Sequence, residues 1–412
     1  MKKLFLSSTI KISGQVLGIG LSVLIARLFS QFTLGEYELL IRISQFLVIV
    51  MTFGFEKLLL RGDISFNDNT YLNHFELRKI AIKFLRVILC VVLLTYTILS
   101  FTYEGLNHSI NIGAIILASI TSINLLNGST LAVQDKYPKY LFFSEIVYKL
   151  IQVSAFLAVV YIIKKKDIDW VIFIVIISSI IILLINYFGI NNNSSKSIKI
   201  NPKIIPSVIK EITPMAMVTL IYSIIIVGIN LYIAESKGLE EVAKFSISLR
   251  VVAVTSLPMI LVSNLIGTKI KNYHDTNDID EINKLLRKYN LLFMLGSFAF
   301  MILVIVFGKM LLGLWGLEMV QAYNLLFIMA VGQCFNLLTG VAGPIYNMIG
   351  LQKINFLITF FSYSSFFLIL YIFKISILQE ITILFSITVA IENITKAVLL
   401  KSKTRINTIY YG

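Results

Sequence analysis

Two cationic side chains of this 412-residue chain, Arg42 and Arg250, could hold an anion inside a membrane. They belong to a set of nine bases that lie within long apolar runs, the others being Lys11, Arg27, Lys57, Lys149, Lys244, Lys309 and Lys396. An ionisable group in hydrocarbon is expensive, so it faces water, a partner or the headgroups. Six of the nine are near enough to the end of a run to snorkel outward. Arg42, Lys149 and Arg250 lie deeper, about 5, 9 and 10 residues from an end, and at ~1.5 Å per residue the last two are ~14–15 Å in. A guanidinium offers fixed donors and a charge that cannot be titrated away, which suits phosphate oxygens. Arg42 and Arg250 are therefore the first candidates for contact with an anionic substrate group, and Lys149 is a further one.

Carboxylates accompany some of these bases. Glu145 precedes Lys149 by four residues and Glu392 precedes Lys396 by four, one helical turn apart on the same face. Each couple reads either as an internal ion pair or as an exchangeable carboxylate that could couple transport to an ion. Glu56 beside Lys57 belongs at a mouth. Backbone chemistry has candidates too. Gly14 and Gly18 form a small-residue face suited to close helix packing or gating. Pro214, Pro258 and Pro344 fall within apolar runs, where each frees a carbonyl and can kink a helix.

Other chemistries are excluded. The sequence holds no GxxxxGK[ST] phosphate loop, zinc motif or nucleophile elbow. His74, His108 and His274 have no ligand spacing, and Cys90 and Cys334 sit in apolar runs where a structural disulfide is not expected. The expectation is a protein without cofactor or metal and not an enzyme, whose active transport would draw on an ion gradient or on the substrate's own.

The elements that must position these residues are membrane helices. At 57% hydrophobic and 14% charged, with a mean hydropathy of +0.87, the chain departs from globular domains, which run about 45–50% apolar and ~25% charged. Spans are expected at 8–30, 37–60, 84–103, 110–133, 140–163, 169–190, 208–234, 240–267, 289–312, 319–345, 353–374 and 379–400. The runs are continuous rather than alternating, so they read as helices and not barrel strands. The first is too long for a signal peptide and is expected to be retained. Twenty-two of the 36 Lys and Arg fall at one set of ends and five in the opposite loops, which puts both termini in the cytoplasm. The net charge of +14 thus reflects topology and does not point to nucleic acid. The lysines at 164–166 run against the rule. The stretch 278–289, DIDEINKLLRKY, is expected to form a short interfacial helix.

An internal repeat is visible. A shift of 208 residues brings Ile25-Ala26 onto Ile233-Ala234 and Arg42 onto Arg250, and a shift of 212 brings Asn124-Leu125-Leu126 onto Asn336-Leu337-Leu338. Six spans per half make the repeats parallel. The expected architecture is an all-α polytopic membrane protein of about 12 transmembrane helices, in two parallel six-helix bundles (1–203 and 204–412) around a central cavity.

The opening SGQVLGIGLSVLIARLFSQFTLGEYELLIRISQFLVIVMTFGFEKLLLRG resembles the first two helices of the polysaccharide flippases of the multidrug/oligosaccharidyl-lipid/polysaccharide exporter superfamily. It shares their Gly-rich first helix ending in Ala-Arg, a turn with Gly35 and Tyr37, and a second helix closing on Gly54 and Arg61. The resemblance implies an undecaprenyl-pyrophosphate-linked oligosaccharide moved from the inner to the outer leaflet of a bacterial inner membrane by alternating access. It also implies a cationic cavity lined by spans one, two, seven and eight, which adds Lys11 and Lys57 to the substrate-binding candidates. Membrane lipids, a polymerase and a chain-length regulator are the partners it implies. Asn230 stands where many relatives carry an acid. Two alternatives stay open: a cation-coupled multidrug or organic-cation antiporter of the same superfamily, and an integral-membrane glycan polymerase or glycosyltransferase. The second would want a large outer catalytic loop, and none here exceeds about ten residues.

Overall fold

Apolar runs of this length leave backbone amides no partner in a bilayer but one another, and the computed structural model answers with helices almost throughout. It describes residues 2–60, 64–66, 70–72, 74–102, 108–164, 166–190 and 205–409. Arg61, Lys165 and the linker 191–204 lie outside these residues.

The first compact unit is Met1–Leu231. It opens with α1 (Lys2–Leu28), α2 (Gln31–Thr52) and the short α3 (Phe55–Leu60). Ser30 caps α2 by accepting from the Thr33 amide at 3.0 Å. Between α2 and α3 the chain turns through left-handed backbone at Phe53 (φ 44°) and Gly54 (φ 84°), so the expected second span is a broken helix. A minimal antiparallel ladder, β1 (Ile64–Phe66) on β2 (Thr70–Leu72), follows. Then come α4 (His74–Thr102), α5 (His108–Val133) and α6 (Tyr137–Leu141). A π-helical turn at Phe142–Val147 leads into α7 (Tyr148–Ala158), and a second π turn, Val159–Ile163, ends that span. Then follow α8 (Ile168–Gly189) and α9 (Ile205–Lys237), which runs on into the next unit.

The second unit is Tyr232–Gly412. Its helices are α10 (Leu239–Ala253), α11 (Leu257–Asp275), α12 (Ile279–Gly313), α13 (Tyr323–Leu338), α14 (Ala342–Met348), α15 (Gln352–Phe373) and α16 (Leu378–Thr404). Ile266, Ile270, Ile282, Leu286 and Tyr346 form part of its main apolar core. Ile406, beyond the left-handed turn at Arg405 (φ 62°), enters the same core, and Asn283 fastens that tail by accepting from the Asn407 amide at 2.8 Å.

Ten helices among the described residues are long and apolar enough to cross a membrane. The two expected spans missing from that set are α2–α3 and α10–α11, the repeat mates that carry Arg42 and Arg250. Glu36, Glu38 and Arg42 make α2 too charged, and α10–α11 is interrupted by a 3-10 turn at Val254–Ser256.

Three expectations need correction. Pro258 and Pro344 do not kink continuous helices: each lies in the first turn of a new one, α11 and α14, where the missing amide is no loss. Only Pro214 lies mid-helix, in α9. The stretch 278–289 is helical but not a separate interfacial helix. It is the beginning of the 35-residue α12, and Ile282 and Leu286 are fully buried in the core.

Candidate functional site

The first unit gathers its polar groups around the π turn. That turn widens the helix by a residue and brings Glu145 against α1. Lys149 Nζ, one turn on, donates to Glu145 Oε2 at 2.8 Å, and the two side chains keep 17% and 33% of their surface exposed. Gly14 and Gly18 are what admits this pair. A Cβ on Gly14 would lie 2.7 Å from Glu145 Cβ and 2.9 Å from Oε2, and one on Gly18 would lie 3.4 Å from Lys149 Cε. The glycine face and the ion pair, two separate candidates in the sequence, are thus one contact. Beside it, buried Asn186 of α8 donates to Asn124 Oδ1 at 2.8 Å and to Ser144 Oγ at 3.2 Å. Ser179 donates to Tyr148 at 3.2 Å.

The other cations of this unit are placed as follows. Arg42 is not a bare charge: its Nη2 lies 3.8 Å from Glu38 Oε2, one turn earlier on α2, and Nη1 donates to Gln45 Oε1 at 3.3 Å. Glu38 is wholly buried. Its spacing to Arg42 is that of Glu145 to Lys149, so the signal that could have found it was present in the sequence. Lys57, on α3, donates to Thr219 of α9 at 2.5 Å. Thr219→Val is expected to lower stability by about 1 kcal/mol, the net worth of such a bond, measured by thermal unfolding in detergent. Lys11 lies 5.9 Å from the centre of the Tyr137 ring, within cation–π range. Arg78, not singled out from sequence, donates to Asn127 Oδ1 at 2.7 Å.

In the second unit Arg250 occupies the last turn of α10 and is half-buried. Lys244 pairs with Glu241 at 2.6 Å, and Lys309 lies 5.4 Å from the Tyr323 ring centre. The most enclosed charges are Glu392 and Lys396, at 3% and 2% exposure, with Nζ 2.5 Å from Oε1. Thr359 of α15 donates to the same carboxylate oxygen at 2.7 Å, and the Tyr346 hydroxyl donates to the Lys396 carbonyl at 3.0 Å. Glu392 therefore has its charge met inside the unit, whereas Glu145 keeps a third of its surface open. No group of three or more His, Cys, Asp or Glu among the described residues could hold a metal ion.

This arrangement sits on a known scaffold. An inward-facing multidrug resistance MATE family transporter of the MOP superfamily is similar at TM-score 0.76 and 10% identity, over 97% of this chain and 98% of that one. A MOP superfamily transporter from Pyrococcus furiosus, described as having a binding pocket of reverse polarity, is similar at 0.64 and 10%, over 98% and 96%. An outward-facing MATE transporter gives 0.61 and 11%, over 98% and 95%. No family model matches the chain, and no curated protein sequence does. The fold is therefore that of the MATE transporters of the MOP superfamily, and the chain is an all-α, multi-pass membrane protein.

Proposed function

We propose that this protein is a secondary transporter working by alternating access, and that its cargo is a lipid-linked oligosaccharide whose diphosphate meets Arg42 and Arg250. One observation carries the reading. The two spans that are charged and interrupted occupy corresponding positions in the two halves and bear the two arginines, and interrupted helices in matching positions are where transporters of repeated architecture place their binding sites. Lys11 and Lys57, held by a ring and a hydroxyl, add positive potential on the first and second spans. Lys149 reads as a further anion contact and Glu145 as the exchangeable carboxylate, because both keep part of their surface open. The setting is a bacterial inner membrane with both ends cytoplasmic, and the pathway's polymerase and chain-length regulator are further partners.

A second reading, a cation-coupled multidrug antiporter, has its own support. The solved transporters of similar fold include multidrug MATE proteins, and Glu38 and Glu145 beside Arg42 and Lys149 reduce the positive excess. On fold alone it is the better supported of the two.

Proteoliposomes separate them. One set holds a polyprenyl-diphosphate oligosaccharide in the inner leaflet, with arrival outside read by a lectin; the other holds ethidium under an imposed proton gradient. Glycan arrival without ethidium loss is expected, and gradient-driven ethidium loss without glycan movement would overturn the proposal. Arg42→Ala and Arg250→Ala are each expected to slow glycan movement several-fold, with Lys restoring part of it if charge alone matters and none if the bidentate fork does.

A further inference from the structure

In each unit one of the helices longer than a bilayer requires carries a basic N-terminal end. About 20 residues cross the ~30 Å hydrocarbon layer, yet α4 has 29 and α12 has 35. The surplus sits at the N-terminal end, which the Lys/Arg distribution assigns to the cytoplasm, and in both helices it is basic on one side. On α4 that side carries Lys79, Lys83 and Arg86; on α12 it carries Lys284, Arg287 and Lys288. A shift of 205 residues brings Lys79 onto Lys284 and Lys83 onto Lys288, and the buried Leu77 and Ala81 onto the buried Ile282 and Leu286. The two ridges are thus the same feature, repeated with the same inward face.

Both run directly into apolar surface with no protein cover. The exposed stripe of α4 begins at Val87 (62% exposed), and that of α12 begins at Leu291 and Leu292 (39% and 56%). Lys83 and Arg287 are each four residues before the start of the stripe, ~6 Å along the axis, which is the depth of the phosphate layer beyond the hydrocarbon edge. The nearby acids do not neutralise the ridges. Glu76 of α4 is buried, and on α12 Glu281 is taken by Lys284 at 3.1 Å, with Asp278 and Asp280 a turn further out. Among the described residues no ion pair engages Lys79, Lys83, Arg86, Arg287 or Lys288.

We infer that each ridge is a docking site for the headgroup of an anionic diacyl phospholipid of the inner leaflet, with its acyl chains lying along the adjoining stripe. The phosphate fits a basic ridge placed at headgroup depth, and the tails fit the apolar surface that continues from it. Neither site depends on what the protein transports.

The test is native mass spectrometry of the full chain equilibrated with equal parts phosphatidylglycerol and phosphatidylcholine. The parent is expected to retain two phosphatidylglycerol molecules in preference. Lys83→Gln/Arg86→Gln and Arg287→Gln/Lys288→Gln, all at exposed positions, should each remove one, and the four together both, with affinity falling about five-fold per cation. Lys166→Gln/Lys374→Gln at the opposite ends should change nothing. Undiminished retention by the fourfold variant, equal loss in the control, or displacement of the phospholipid by an equimolar polyprenyl diphosphate would overturn the inference.

Discussion

Gly14→Ala is expected to loosen the first unit and remove most transport, while Gly18→Ala leaves both close to the parent. The two glycines are one helical turn apart and look alike in the sequence, but their neighbours differ in kind. At Gly14 the added carbon would lie 2.7 Å from Glu145 Cβ and 3.3 Å from its carbonyl oxygen. Both belong to the rigid part of the π turn, so the helices must part. At Gly18 it would meet the flexible end of Lys149 at 3.4 Å, ordinary contact. Overpacking of the first kind costs about 1–3 kcal/mol, against ~0.5–1 kcal/mol returned by replacing a mid-helix glycine. At Gly18 only the return remains. Thermal unfolding and transport of the two variants side by side check this, and equal behaviour would show that α1 does not seat the Glu145–Lys149 pair.

Breaking the other enclosed pair has the larger consequence for stability. Glu392→Leu alone should destabilise by about 3–5 kcal/mol, because it leaves the Lys396 ammonium buried without its counter-charge. The double variant Glu392→Leu/Lys396→Met should recover most of the loss, since an apolar pair of similar volume needs no desolvation of charge. The bond from Thr359 to that carboxylate would be lost as well, a residual loss of about 1 kcal/mol. A double variant as unstable as the single one would mean that the pair is not the source of the effect.

The sequence made the helices legible because a lipid environment writes them as length and hydropathy. Nearly every expected span has its helix, and the 22-to-5 cation bias needed only counting. Breaks were less legible. Pro258 announces a new helix start rather than a kink, but nothing in Phe53-Gly54 separates a turn from a packed glycine until the φ angles are known. Charge pairing was half legible. Arg42, Lys149, Lys244 and Lys396 each have a glutamate one turn earlier, and the couples at Lys149 and Lys396 are legible from spacing alone. The same spacing joins Arg42 to Glu38, so its charge is paired where depth in the span points to a bare cation. The seat of Glu145 on Gly14 could not be read at all, since it depends on the π turn and on which face of α1 turns toward it.

That turn has a consequence for how the fifth span can vary over time. A π turn houses one residue more than an α-helix of the same height. Deleting one residue from Phe142–Val147 would let that turn close into an α-turn of the same height, which keeps the flanking segments in register but draws in the widened turn that carries Glu145. Glu145 would then lose its seat on Gly14 while the span kept its hydropathy. Insertions and deletions in this segment are therefore expected to leave membrane insertion intact and to impair activity, so the residue count here sets the contact between the first and fifth spans.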